Sequence, residues 1–264
     1  KTLGLIYPGN VGPAARFYWS RWLPANIRRA DTLAASSEST RRDIEKYLKI
    51  PASSVCVVPL AVNPRFFYKT EDAGSSGAIL RLYGLKTPYL LAVGTLEPRK
   101  NSLRVLQAFE RVSKTNPDLR LVFAGKDGGM QKSLEAFIAE KGLAERVKLL
   151  GYVPDEHLAS LYNGALGYVM ISLYEGFGLP ALEAMSCGTS GIVAAVSSLP
   201  EVVGDTALKV NPESIEEIAD AMNRFVQEDS LRASMARAAH ERSKQFSYTK
   251  TAQAMMDIFK KTLA

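Results

Sequence analysis

The sequence predicts an α/β protein whose main part is a parallel sheet with crossover helices. Three observations carry that class. The chain has 264 residues, 47% of them hydrophobic and 23% charged, the composition of an ordinary globular protein with ample core. Between residues 89 and 212, short β-branched or apolar runs alternate with longer segments of helical period. Most of these runs are apolar nearly throughout, as strands covered on both faces must be.

Taken in order, residues 14–30 read as an aromatic-basic helix, 32–35 as a strand, 40–48 as a helix and 55–58 as a strand. That is too little for a whole domain. Residues 68–77, with Glu71, Asp72, Gly74, Ser75, Ser76 and Gly77, read as a loop or linker. Strands follow at 89–93, 119–124, 147–150, 167–172, 191–195 and 207–210. Between them, 102–113 places Leu103, Leu106, Ala108, Phe109 and Val112 on one helix face, and 131–141, 156–162 and 179–185 fill later crossovers. Six strands with intervening helices make one complete Rossmann-like domain. Beyond residue 213 the chain reads as helix, with Ser214 as N-cap and Glu217 completing a capping box. Helices are expected at 215–227, 230–243 and 248–262, the last long enough to cross back over another domain. The domain reading is therefore a partial unit with linker at 1–75, the complete unit at 76–245, and a returning helix at 246–264.

The formal charge is +6, and residues 1–50 carry nine Lys/Arg against four Asp/Glu, so the surplus sits almost wholly there. Arg16, Arg21, Arg28, Arg29, Arg41 and Arg42 interleave with Phe17, Tyr18, Trp19 and Trp22. Such a segment is either a solvated helix with its aromatics turned to the core or a surface for anions, nucleic acid or anionic lipid. Two cysteines, Cys56 and Cys187, are too few for a disulfide framework and point to a reducing compartment. Cys187, with no nearby His, reads as a packing residue. No run approaches the ~20 apolar residues of a membrane helix, and no secretory leader pattern opens the sequence.

The densest chemical signal follows the strand at 167–172: Leu173-Tyr174-Glu175-Gly176-Phe177-Gly178-Leu179-Pro180-Ala181-Leu182-Glu183-Ala184-Met185. This is strand, glycine-rich turn, helix start. Gly176 and Gly178 permit positive φ and close backbone approach, and Pro180 suits a first helical turn. Unpaired N–H groups would face an anion there, and a diphosphate fits. Glu175 and Glu183 either accept hydrogen bonds from sugar and ribose hydroxyls or merely complement the helix dipole. A second signal, Gly94-Thr95-Leu96-Glu97-Pro98-Arg99-Lys100-Asn101, follows the strand at 89–93. Loops at the carboxyl edge of an open α/β sheet converge on one crevice, so Arg99 and Lys100 either neutralise the same anion or are solvated surface. Lys126-Asp127-Gly128-Gly129, which also follows a strand, reads either as a plain turn or as a further contact to the phosphate. His157 and His240 lack ligand spacing, no D-x-D motif is present, and no metal site is expected.

These two loops, with Cys187-Gly188-Thr189, resemble glycosyltransferase family 4, the retaining enzymes of GT-B fold, termed glycosyl transferases group 1. Ala35-Ser36-Ser37-Glu38-Ser39-Thr40, Val57-Val58-Pro59, Leu150-Gly151-Tyr152-Val153-Pro154 and Ser197-Ser198-Leu199-Pro200-Glu201-Val202 resemble the family's landmarks in the same order, from about residue 7 to the end. The resemblance implies a GT-B-like α/β architecture with a complete donor domain. It implies that Lys100, helped by Arg99 and the Gly94 backbone, binds the donor diphosphate and stabilises it as leaving group. Glu175 would contact the transferred sugar, and Glu183 the ribose. The amides of Phe177, Gly178 and Leu179 would face the phosphates and sugar, and Val153 would lie against the base. Thr95, in the donor-binding loop, stands where many members carry Arg, which weakens the diphosphate site by one charge.

The resemblance further implies a donor such as GDP-mannose or another GDP- or UDP-linked sugar, a glycan or lipid-linked acceptor, no metal or other cofactor, and no nucleic acid. The cysteine count points to the cytoplasm, and the basic-aromatic segment at 14–30 hints at a peripheral place on the inner face of the membrane. The family has two facing Rossmann domains, and Lys1 falls part-way through the first, so an N-terminal portion, in one chain or as a separate one, is expected to complete the enzyme. Two other readings stay open: a nucleotide-sugar-binding module without catalysis, and a dinucleotide-binding protein. The latter is disfavoured because no G-x-G-x-x-G follows a strand with an acid about 20 residues on.

Overall fold

The structure is a computed structural model that describes residues 14, 17–70 and 73–263. Within 17–27, a π-helical turn at Tyr18–Trp22 runs into α1 (Leu23–Ile27), whose Pro24 sits in the first turn, where a missing N–H is harmless. The expected inward-facing aromatics are not found: Phe17 is 63% and Trp22 52% exposed, Tyr18 stacks on Trp22 at 5.1 Å, and Leu23 and Pro24 supply the buried contact instead. Arg16 and the side chain of Trp19, which belonged to that reading, lie outside the described residues, as do the opening segment and the linker acids Glu71 and Asp72.

β1 (Leu33–Ala35) and β2 (Val55–Val57) pair in parallel, Leu33 opposite Val55, and α2 (Glu38–Leu48) joins them. Ile44 and Leu48 of α2 close a small core with Ala35 and Val55.

The large sheet is wholly parallel. β3 (Tyr89–Val93), β4 (Arg120–Ala124), β5 (Val147–Leu149), β6 (Gly167–Met170), β7 (Gly191–Ala194) and β8 (Ala207–Val210) lie in the order β5-β4-β3-β6-β7-β8. The crossovers are α4 (Ser102–Ser113), α5 (Gln131–Glu140), α6 (Asp155–Gly164), α7 (Leu179–Ser186) and α8 (Leu199–Val203), preceded by α3 (Ala73–Leu82) and followed by α9 (Ile215–Gln227), α10 (Asp229–Ser243) and α11 (Tyr248–Leu263). Side chains alternate across each strand, so Leu90 enters one core layer with Phe109, Leu121, Val169 and Phe225. Tyr89 and Leu91 enter the other, with Leu161, Tyr162, Tyr168 and Met185. Helices therefore cover both faces, which is why the strands are apolar throughout.

Two segments differ from the sequence reading. Residues 73–77 belong to α3 rather than to a linker: their Gly and Ser are poor helix formers, but Ile79 and Leu80 dock against the second core layer and impose the helix. The short helix α8 at Leu199–Val203 was not foreseen; its Leu199 and Val203 are fully buried. α11 runs back along the N-terminal part: Thr251 Oγ1 donates to Pro59 O at 2.8 Å and Thr262 Oγ1 meets Thr32 Oγ1 at 2.7 Å. Among the described residues, no helix is long and apolar enough to cross a membrane.

Candidate functional site

The strand order turns back between β3 and β6: from β3 the chain moves outward through β4 to β5, and from β6 outward the other way. In an open α/β sheet the crevice at such a switch point, at the carboxyl ends of the strands, is where ligands bind. Both loops singled out above leave the sheet there, residues 94–101 from β3 and 171–178 from β6.

The two loops are tied by charge. Lys100 Nζ lies 2.7 Å and Arg99 Nη1 2.9 Å from the same atom, Glu175 Oε1. Arg99 also donates through Nη1 to Tyr174 O at 2.7 Å and through Nη2 to Glu97 Oε1. Its buried Nε finds no partner among the described residues. Two cations thus share one carboxylate oxygen, Arg99 is paired with Glu97 as well, and one guanidinium donor is left unused. Asn101, held at φ +60°, pins the start of α4 through Nδ2 to Ile171 O at 3.1 Å and Pro212 O at 2.7 Å.

Gly94, at φ +137°, lies beneath the Lys100 stem: a Cβ there would stand 2.9 Å from Lys100 Cε. Only glycine lets the lysine lie flat on this backbone. Gly178, at φ +106°, faces Leu199 in the same way, its Cβ position 2.7 Å from Leu199 Cδ2, and opens α7 with Pro180 next to its start. The N–H groups of Phe177, Gly178 and Leu179 find no acceptor among the described residues. The Phe177 ring itself is buried, edge-on to Phe246 at 5.8 Å.

Glu183, one turn into α7, receives the Tyr162 hydroxyl on Oε2 at 3.0 Å. Burial pushes its pKa up to about 7; Asp155 adds to the rise, while the phenol and Lys100 oppose it. Val153 packs in the second core layer, and Thr95 is exposed beside Gly128. The structure thus brings Gly94, Arg99, Lys100, Glu175, Phe177, Gly178, Leu179 and Glu183 to one edge, with Val153 buried behind it and Thr95 on the rim.

Residues to which the sequence reading gave no role hold the glycine-rich loop from the other side. Ser36 Oγ, Ser37 Oγ and Thr40 Oγ1 all donate to Gly176 O, at 2.9, 2.8 and 3.0 Å. Ser198 Oγ donates to Glu175 O and Phe177 O, and Tyr174 Oη to Asp43 Oδ2 at 2.6 Å. Glu201 caps the start of α2, accepting from Glu38 N at 2.8 Å and Ser39 N at 3.2 Å. These partners are 21 to 163 residues from the atoms they bind, and only the cap at Ser37 has a local sequence signal. Among the described residues, no cluster of three or more His, Cys, Asp or Glu could hold a metal ion.

The family model described as glycosyl transferases group 1 matches residues 83–242, which include both loops and the whole large sheet. The chain belongs to the group 1 glycosyl transferases. The chain is 33% identical over 246 residues to O-antigen chain mannosyltransferase B of Escherichia coli, the match covering 92% of the chain and 64% of that protein. Among solved structures, it superposes on sucrose-phosphate synthase from Thermosynechococcus elongatus with a TM-score of 0.84 at 24% identity, covering 99% of the chain and 66% of the other. It superposes on Anabaena HepE, solved with UDP and glucose, with a TM-score of 0.78 at 21% identity, covering 90% and 67%. The fold is thus that of GT-B glycosyltransferases, and the chain spans about two thirds of the length of these relatives.

Proposed function

We propose that this chain carries the donor half of a retaining mannosyltransferase, which takes mannose from GDP-mannose to a glycan or lipid-linked acceptor without a metal ion. One observation carries the reading: Arg99 and Lys100 converge on Glu175 Oε1 at the switch point, beside a glycine-rich helix start with free N–H groups. A diphosphate entering there offers both cations a better partner than a shared carboxylate and meets the positive end of α7. Glu175, released, accepts the sugar hydroxyls, and Glu183 accepts those of the ribose. The identity of the sugar rests on the likeness to the O-antigen mannosyltransferase; HepE was solved with UDP and glucose, so a uridine donor is the alternative.

In the reaction, the acceptor oxygen bonds to the anomeric carbon from the face the diphosphate is leaving. The bond from that carbon to the β-phosphate oxygen breaks, its electron pair stays on the diphosphate, and the acceptor proton passes to the same departing oxygen. Lys100 and Arg99 stabilise the charge that develops there, the largest single contribution available to such a site. Those two side chains supply the positive charge that a metal ion would otherwise bring to the diphosphate. The exposed Phe17, Tyr18 and Trp22 beside Arg21, Arg28 and Arg29 support a cytoplasmic protein working at the inner membrane face on a lipid-linked acceptor.

The test is calorimetric titration of the chain with GDP-mannose and UDP-glucose, in EDTA and then in magnesium. Binding of GDP-mannose unchanged by EDTA is the expected result; binding of neither overturns the reading. Turnover is then measured with the chain extended to the full length of its relatives. Binding without turnover there would favour a nucleotide-sugar-binding module.

A further inference from the structure

The ring of Tyr162 is fixed before any ligand arrives. It lies on α6, fully buried, with Phe67 edge-on at 6.2 Å, and its own backbone carbonyl accepts from Thr189 Oγ1 at 2.8 Å. A buried phenol needs an acceptor, and this one donates to Glu183 Oε2. It is the one side chain among the described residues that hydrogen-bonds Glu183, because Lys100 is committed to Glu175.

We propose that Tyr162 is a positioning residue for nucleotide binding: by holding Oε2 it orients the Glu183 carboxylate, leaving Oε1 for the ribose hydroxyls. The proposal rests on the reading of Glu183 given above.

The surroundings make that bond matter. From α6, Tyr162 and Asp155 face Glu183, and from the loop after β3, Lys100 does. Just past the end of α7, Cys187 is the neighbour, a thiol that burial pushes up to about 12 and so leaves neutral. On α10, His240 is bonded to Ser186 O, and on α8, Glu201 to the start of α2, so neither hydrogen-bonds Glu183. Tyr168 of β6 is buried and its pKa is raised, so it too is neutral. Desolvation and Asp155 favour the protonated acid; the phenol and the distant Lys100 favour the carboxylate. The balance leaves Glu183 titrating at about 7. A carboxylate accepts from two hydroxyls where the acid accepts less, so nucleotide affinity rises as pH rises through that value. Removing the phenol takes away a stabiliser of the charged form and moves the midpoint upward.

The experiment titrates GDP into the chain and into Tyr162→Phe, Glu183→Gln and the double variant between pH 6 and 9, with thermal melting as a check on folding. Carboxyl carbon NMR of Glu183 in the ligand-free chain reads the same midpoint directly. Tyr162→Phe is expected to raise the midpoint by about one unit and so to weaken GDP about fivefold at pH 7. Glu183→Gln should flatten the pH profile and abolish the added effect of Tyr162→Phe. Thr189→Val, which removes one of the two donors to the Tyr162 carbonyl and leaves Ala165 N, should move affinity the same way by less and serves if Tyr162→Phe does not fold. If Glu183→Gln weakens GDP while Tyr162→Phe changes neither affinity nor midpoint, Tyr162 is packing alone and the proposal falls. If Glu183→Gln leaves GDP binding intact, the ribose role of Glu183 fails instead.

Discussion

Lys100 Nζ donates to Glu175 Oε1 across 2.7 Å, and both side chains are about nine-tenths buried. A buried ion pair of this kind contributes little net stability, since desolvation offsets attraction, but breaking it leaves a charge without its partner. Here Arg99 still reaches the same oxygen, at 2.9 Å, so the carboxylate is not orphaned by loss of the lysine. Lys100→Ala is therefore expected to fold and to lose nucleotide. A hydrogen bond between charged groups is worth about 1.5–3 kcal/mol, which corresponds to a fall in GDP-mannose affinity of about tenfold to a hundredfold. Calorimetry checks it; an unchanged affinity removes Lys100 from the site.

Gly94→Ala reaches the same lysine without touching its charge. The new methyl would stand 2.9 Å from Lys100 Cε on a backbone at φ +137°, a region closed to alanine. Either the loop relaxes or the lysine lifts away from Glu175. Strain of this kind costs on the order of 1–3 kcal/mol, read as a lower melting temperature. The accompanying loss of GDP-mannose affinity should approach that of Lys100→Ala, and full affinity in a stable variant would show that the lysine does not need its seat.

The sheet and the two loops at its switch point were legible because their signals are local. Apolar runs such as Tyr89–Val93 and a glycine-proline helix start at 178–180 need no knowledge of distant residues. What holds the loops was not legible. Tyr162 and Glu183 are 21 residues apart, and Ser37 and Gly176 are 139 apart, and nothing in either neighbourhood announces its partner. The linker misread at 73–77 has the same origin: its Gly and Ser argue for a loop, and the helix exists because Ile79 and Leu80 meet a core assembled from far along the chain. Phe17, Tyr18 and Trp22 face outward for the opposite reason, since amphipathic spacing says that one face is apolar without saying what covers it.

Ser37 serves two masters. Its Oγ accepts from Thr40 N at 3.0 Å as the N-cap of α2 and donates to Gly176 O at 2.8 Å. Ser37→Ala is expected to cost about 1 kcal/mol for the cap, measured by denaturant unfolding. Its effect on the glycine-rich loop should be small, because Ser36 and Thr40 donate to the same carbonyl, which has two lone pairs and three suitors. Removing all three hydroxyls should loosen the loop and weaken GDP-mannose binding beyond the sum of the single changes. Additive losses would show that the three act independently.

Arg99 is held as a fork: Nη1 reaches Glu175 Oε1 and Tyr174 O, and Nη2 reaches Glu97 Oε1. A lysine at this position keeps the charge and loses the geometry, since one ammonium cannot span three acceptors on two loops. Arg99→Lys should therefore fold and keep its Coulomb attraction for the diphosphate while losing the contact that fixes Tyr174 O and the start of the glycine-rich loop. The expected signature is a split, with donor affinity reduced less than in Lys100→Ala and turnover in the full-length enzyme reduced more, because transition-state stabilisation depends on placement to a fraction of an ångström. Steady-state kinetics with GDP-mannose reads the two separately. Equal losses in both, or a loss in KM alone, would make Arg99 a charge and nothing more.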